Sequence, residues 1–292
     1  MSLQAIINGI SLGAVYAIIA VGFALVFNIL KFSNFSHSGV LVASGYLGYL
    51  VCSTLHTNFW ITLIITAILG GFLALVIEYI GFRHLRKQNA QIMLYFVSSV
   101  TIAMLAENII AVFFSGAFYS YPLFFKTMSF KIGGLVFVVT DMLMLLISCA
   151  SLGILMFLLY KTRLGLSIRA LSMDARTTGL MGVNVTFVIC ATFFVSGMLG
   201  GIGGMFIGIN YTLYAKLGGL VVKGFIASVI GGLGSIGGAV IGAFILGMLE
   251  VVLINIDGIG SGLAPVVVFF VMIAFLLVRP QGIAGKIIRE KA

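Results

Sequence analysis

Charge is what this sequence most lacks. Asp, Glu, Lys and Arg make up 8% of its 292 residues, where soluble domains carry about 25%. Hydrophobic residues account for 62%, more than a water-soluble fold can hide. Cysteine is sparse too: Cys52, Cys149 and Cys190 are odd in number, widely spaced and set in apolar sequence, which argues against a disulfide framework or metal site and reads as helix packing. No G-x-x-x-x-G-K-[ST] loop is present, so the chain does not bind ATP in that way. Gly232, Gly234 and Gly237 match G-x-G-x-x-G, but inside an apolar segment with no preceding strand, so a dinucleotide site is not expected. Neither paired intramembrane acids nor a Ser with a facing His stands out, and His37, His56 and His84 fall near the ends of apolar runs. No catalytic, cofactor-binding or metal-binding residue is therefore assigned. Met1 to Ala5 carry no basic cluster, and no small-residue cleavage site follows the first apolar run, which reads as a retained span.

What is there is a series of apolar runs, at about 5–29, 38–54, 59–82, 91–114, 135–160, 185–210, 224–254 and 262–278. Unpaired backbone groups are too costly in lipid for anything but helices or closed barrels. These runs have the length of membrane helices and lack the alternation of barrel strands. The expectation is an all-α, polytopic transmembrane bundle of about eight to nine segments, forming a single permease domain over 1–292.

The formal net charge is +9, but the basic residues form short clusters between apolar runs, so nucleic acid is not an expected partner. The clusters are Arg83, Arg86 and Lys87; Lys161, Arg163, Arg169 and Arg176; and a basic tail over 279–292 with Arg279, Lys286, Arg289 and Lys291. The positive-inside rule puts all three in the cytoplasm. Parity then requires 224–254 to enter and leave, as a broken or re-entrant segment interrupted at its glycine run, or the tail would end outside. The N-terminus falls outside, and of the 16 basic residues all but Lys126, Lys131, Lys216 and Lys223 face inward. The polar stretch Ser115 to Thr140 becomes an external loop.

A chain break at membrane depth is tolerated where protein or a water-filled cavity satisfies the backbone, which makes Gly232 and Gly234 candidates for a translocation path. Gly200, Gly204 and Gly208, and likewise Gly234, Gly238 and Gly242, recur every four residues and give smooth strips for close helix approach. Glu107 is the one carboxylate clearly inside a run, with Glu78, Asp141, Glu250 and Asp257 nearer the ends. It reads either as a structural hydrogen-bonding group or as part of the path. Asn34-Phe35-Ser36-His37-Ser38-Gly39 reads either as a cap for the next helix or, through Asn34 and His37, as pore lining. The segment 161–184 is amphipathic, with Asp174 at a helix start and Gly182 as terminator, so a short surface helix at about 172–181 is expected, lying on membrane lipid or docking on a partner.

Four stretches in order resemble the permease subunits of ATP-binding-cassette importers for branched-chain amino acids: Asn8-Gly9-Ile10-Ser11-Leu12-Gly13-Ala14-Val15-Tyr16-Ala17; Asn34-Phe35-Ser36-His37; Gly165 through Asn184; and Lys223-Gly224-Phe225 through Gly231-Gly232-Leu233-Gly234-Ser235. The likeness covers nearly the whole chain. It departs at Ser36 and Ser38, where relatives often have Ala and Gly. It implies a bacterial inner-membrane protein that is not itself an enzyme. The implied partners are a second related permease, two cytoplasmic ATPases that carry ATP and magnesium, and a periplasmic amino-acid-binding protein. It further implies that Arg169, Asp174, Arg176 and Gly182 belong to a coupling helix seated on an ATPase.

Overall fold

The first apolar run closes into α1 (Leu3–Leu30), 28 residues long or about 42 Å at 1.5 Å per residue. Its stretch from Val15 to Val26 is buried without interruption. A helix apolar on every side belongs at the centre of a bundle. The computed structural model describes residues 3–122, 124–125, 129–132, 135–256, 260–279 and 281–284. Around α1 stand α2 (Ser36–Leu55), α3 (Phe59–Ile77), α5 (Ile92–Phe113), α6 (Val139–Lys161), α9 (Val185–Asn210), α10 (Leu220–Gly231), α11 (Ile236–Ile254) and α12 (Gly260–Val278). A π-turn, Glu78–Phe82, carries α3 into α4 (Arg83–Lys87), and α7 (Arg163–Met173) and α8 (Ala175–Leu180) link α6 to α9.

Among the described residues seven helices are long and apolar enough to cross a membrane, counting Phe59–Lys87 as one, and α12 adds a shorter apolar helix. This is the expected all-α polytopic bundle, and the chain is a multi-pass membrane protein. The segment 224–254 is indeed two helices. Gly232 (φ +108°) and Gly234 (φ +85°) take backbone angles that favour glycine, and Ser235 then caps α11 by accepting from Gly238 N at 3.1 Å.

The depth of the interruption differs from the expectation. Gly234 lies beside Phe27 and Asn28, in the last turn of α1. The deeper interruption is at the other end of α10, where a 3-10 turn (Ala215–Gly219) leads into the helix and Gly224 already packs on Ile19 and Ala20. Twelve residues cover only about 18 Å, little more than half the hydrocarbon thickness. So α10 is a half-helix.

Two further differences are local. Leu135 to Val138, expected to open a span, form a strand (β2, Leu135–Val138) paired antiparallel with β1 (Ser129–Ile132), Phe130 opposite Phe137. Hydropathy does not separate a short apolar strand from a helix start. The amide of Gln4 clamps this hairpin, donating to Val136 O at 2.8 Å and accepting from Val136 N at 2.9 Å. Lys126, Asp257, Lys286, Arg289 and Lys291 lie outside the described residues.

The four-residue glycine strips do bring backbones together: Gly204 meets the backbone of Leu41 and Gly45 on α2, and Gly242 meets Ala227 and Gly231 on α10. Between α3 and α9 the backbones also meet directly. A methyl group at Gly70 would strike the Gly197 carbonyl and stand 2.9 Å from Gly201 Cα. Overpacking of this kind costs about 1–3 kcal/mol. Gly70→Ala is expected to lower the SDS unfolding midpoint in mixed micelles, whereas Gly153→Ala, which meets open space, does not; equal midpoints would mean that the helices part freely.

Candidate functional site

The segment 161–184 folds by local capping. Thr162 accepts from Gly165 N at 3.1 Å and starts α7, which buries Gly165, Ile168 and Leu171. Asp174 breaks the helix with extended backbone and restarts it as α8, its carboxylate accepting from Arg176 N at 2.9 Å and from the Thr177 hydroxyl. Those hydrogen bonds, the Thr177 one first, hold its carboxyl below the usual carboxylate range. The charged cap is therefore complete above the ordinary carboxylate pKa and is lost as pH falls through the lowered value. Gly182 (φ +85°) ends the element, its N–H reaching Gly179 O at 3.1 Å while Val183 N reaches Thr178 O at 3.4 Å. The helix expected at about 172–181 thus spans 175–180, and 163–173 is helical too.

The tip of this segment carries Met173, Leu180 and Met181, each more than 80% exposed, beside exposed Arg176. Large apolar side chains on a polar loop mark a docking surface more than a solvated turn. Arg169 is not at the tip. Its guanidinium lies 5.3 Å from the ring centroid of Tyr160 on α6 and holds α7 against that helix.

Within the membrane, Asn34 and His37 have different surroundings. Asn34 Oδ1 accepts from Ser36 N at 3.2 Å and Ser36 Oγ at 2.6 Å, and Ser99 Oγ accepts from Phe35 N at 3.2 Å. These bonds fix the turn into α2. His37 is buried and wedged between α1 and α9: a methyl group at Gly22 would lie 2.8 Å from its Nε2, and one at Gly200 3.0 Å from its Cε1. Its Nε2 has no hydrogen-bond partner among the described residues.

Glu107 borders a cleft of about 170 Å³ between α5 and the start of α10, together with Phe35, Ser38, Met104, Gly218 and Val221. A side chain at Gly218 would collide with the Glu107 carboxylate, so the half-helix begins against that acid. The 3-10 turn runs straight into α10, accepting from Leu220 N at Leu217 O and Gly218 O, and this end carries the helix's positive partial charge. A carboxylate, the positive end of the half-helix and apolar walls thus meet at one cleft. Gly232 and Gly234 lie at the other end of α10, where Gly282 packs on Gly232 and Ile283 N and Ala284 N each donate at 2.9 Å, to Ile230 O and Gly231 O.

Lys223 is not external, as the charge pattern suggested, and Glu250, near the end of α11 as expected, is buried. Because α10 starts at depth, Lys223 in its first turn lies within the bundle, where it meets Glu250 of α11 at 2.5 Å and the Tyr16 hydroxyl of α1 at 3.1 Å. Tyr16 in turn donates to Glu250 at 2.9 Å. Three helices are joined by one charge network. The only signal for it in the sequence is a basic residue at the edge of an apolar run, which on its own reads equally well as a flank. Removing one member of a buried pair costs about 3–5 kcal/mol, while replacing both by apolar residues is near neutral. Lys223→Met is expected to lower thermal stability in detergent sharply, and adding Glu250→Leu to restore most of it; a double variant whose loss equals the sum of the Lys223→Met and Glu250→Leu losses would show the two are uncoupled.

Residues 5–276 match the family described as branched-chain amino acid transport system / permease component. The chain is similar to the "High-affinity branched-chain amino acid transport system permease protein BraD" of Pseudomonas aeruginosa, at 28% identity over 97% of this chain and 96% of that one. It is also similar to the LivH permease protein of the corresponding system in Escherichia coli K12, at 27% identity over 97% and 96%. In Methanocaldococcus jannaschii a probable branched-chain amino acid transport permease protein LivH is 26% identical over 92% and 88%. Among solved structures, "PsaBC from Streptococcus pneumoniae in complex with Fab" shares the fold with a TM-score of 0.50 at 15% identity, over 94% of this chain and 89% of that one.

Proposed function

Because the chain belongs to the permease-component family of branched-chain amino acid transport systems, we propose that it is the membrane-spanning subunit of an ATP-driven importer that carries branched-chain or related hydrophobic amino acids into the cell. A second related permease completes the path, a periplasmic binding protein delivers the amino acid, and two cytoplasmic ATPases holding ATP and magnesium supply the energy. This chain converts their motion into alternating access.

The observation that carries the reading is the capped tip of 161–184. Asp174 and Gly182 set the start and end of α8, leaving Met173, Arg176, Leu180 and Met181 presented together outside the apolar helices. An ATPase cleft that grips this tip has a rigid lever to push, since α7 packs directly on α6 through Arg169 and Tyr160. Asp174→Arg removes the cap and reverses its charge without touching a span. The variant is expected to reach the membrane in normal amount and to lose ATP-driven uptake, and normal uptake would sink the coupling assignment. Co-purification from native membranes in mild detergent tests the assembly: recovery with two ATPases and a second permease supports it, and recovery alone, where other complexes survive, favours a single-chain carrier.

The path is assigned to the cleft at Glu107. Its apolar walls suit a branched side chain, while the acid and the start of α10 offer opposite charges to an amino acid's ammonium and carboxylate. Asn34 holds the turn behind this cleft and His37 anchors the start of α2 between α1 and α9, which keeps Phe35 and Ser38 in its wall, and Gly232 and Gly234 form the glycine turn at the cytoplasmic end of α10. Glu107→Gln keeps the shape and removes the charge, and is expected to reduce uptake roughly tenfold or more, the effect of about 1.4 kcal/mol, at unchanged abundance. Unaltered uptake would leave Glu107 a purely structural residue.

A further inference from the structure

The continuous rod of α3, the π-turn and α4 is longer than the membrane it crosses. It runs for 29 residues, Phe59–Lys87, or about 43 Å, against a hydrocarbon core of about 30 Å. Exposed Trp60 and Tyr79 mark the two interfaces on it. They are 19 positions apart in the sequence, about 28 Å along a helix. The rod beyond Tyr79 therefore stands at headgroup depth, on the side that the basic clusters identify as cytoplasmic.

Two concavities adjoin on this rod. Above Tyr79, within the hydrocarbon, α2, α3 and α5 enclose a groove of about 300 Å³ whose walls include Gly39, Leu73, Val76, Ile80, Ile102 and Leu105 and are apolar almost throughout. Below it lies a cleft of about 420 Å³ lined by Tyr79, Arg83, His84 and Lys87. Val76 and Ile80 of the groove and His84 and Lys87 of the cleft follow one another at three- and four-residue intervals, so groove and cleft lie along one side of the rod.

The charges of the cleft are available. Arg86, on another side, is spent on buried Glu78 at 2.7 Å. Neither Arg83 nor Lys87 has a carboxylate within 4.0 Å among the described residues. Arg83 lies 5.4 Å from the Tyr79 ring centroid, which keeps its guanidinium at the level of the interface.

We propose that this side of the protein binds one membrane phospholipid with an anionic headgroup, the phosphate in the Tyr79–Arg83–His84–Lys87 cleft and an acyl chain in the groove between α2, α3 and α5. Each half asks for what the other half's ligand carries. An apolar groove open to the bilayer takes an acyl chain, and two cations with a tyrosine hydroxyl at phosphate depth take an anionic headgroup. A zwitterionic lipid would satisfy the groove but set its own cation against Arg83 and Lys87. The site is separate from the Glu107 cleft and from the α8 tip, and it does not rest on the transport reading.

The test is native mass spectrometry of the protein, with any subunits that accompany it, released from vesicles holding equal phosphatidylglycerol and phosphatidylcholine. The wild type is expected to retain phosphatidylglycerol in preference. Each basic residue near a membrane surface contributes a factor of about five to the binding of anionic lipid. Arg83→Gln with Lys87→Gln is therefore expected to reduce the preference about 25-fold. Ala43 of α2 also lines the groove; Ala43→Phe, which narrows it and leaves every charge in place, is expected to lower total lipid retention without changing the preference, and it keeps the test open if the double variant fails to assemble. Retention of phosphatidylglycerol unaffected by both variants overturns the proposal. So does loss of a protein subunit, in place of a lipid, from the Arg83→Gln, Lys87→Gln complex, since it assigns the cleft to that subunit.

Discussion

Inside a bilayer a backbone amide finds no water, and an unpaired one costs several kcal/mol. Most of the structure follows from that constraint. It makes every long apolar run a helix, and it forces each departure from helix to be answered by a specific partner. Where the chain turns at Gly232 to Ser235, Ser235 caps α11 and the segment 281–284 supplies N–H groups to α10. Where it turns between α1 and α2, Asn34, Ser36 and Ser99 supply the bonds. One irregular point, the start of α10 beside Glu107, keeps an acid and a cleft next to its helix end.

The second organising element is contact between backbones. With no hydrophobic force to drive one apolar helix onto another in lipid, association depends on close packing, and glycine makes that possible. Gly70 against Gly197 and Gly201, Gly9 and Gly13 against the α11 turn at 244–248, and Gly231 against Gly238 place helices nearer than any side chain would allow. The same smooth contacts carry little directional bonding. The Tyr16–Lys223–Glu250 network supplies direction, tying the half-helix to α1 and α11.

Features with local causes were legible in the sequence, and features made by the fold were not. Asp174 and Gly182 could be read as start and stop because a cap is written within a few residues. The broken segment 224–254 could be inferred because parity and glycine both required it. Lys223 could not be placed, since a basic residue at the edge of an apolar run looks the same whether the helix begins at the surface or at depth. Twelve residues of α10 set that depth, and nothing local marks Leu220 as the first of them. His37 was visible as unusual, but its socket is made by Gly22 and Gly200, far apart in the chain and joined only by packing. The strand pair at 129–138 was hidden by its own hydropathy.

The seal over the glycine turn also bears on the order in which the protein is made. Ile230 and Gly231 receive their outer hydrogen bonds from Ile283 and Ala284, residues synthesised only after α11 and α12 have been threaded. Until that segment leaves the ribosome, the end of α10 has its glycine turn and its packing on α11 but lacks these two bonds. The half-helix thus settles late, after the helices around it have inserted, and a ribosome stalled within α12 would display a bundle whose re-entrant element has yet to lock.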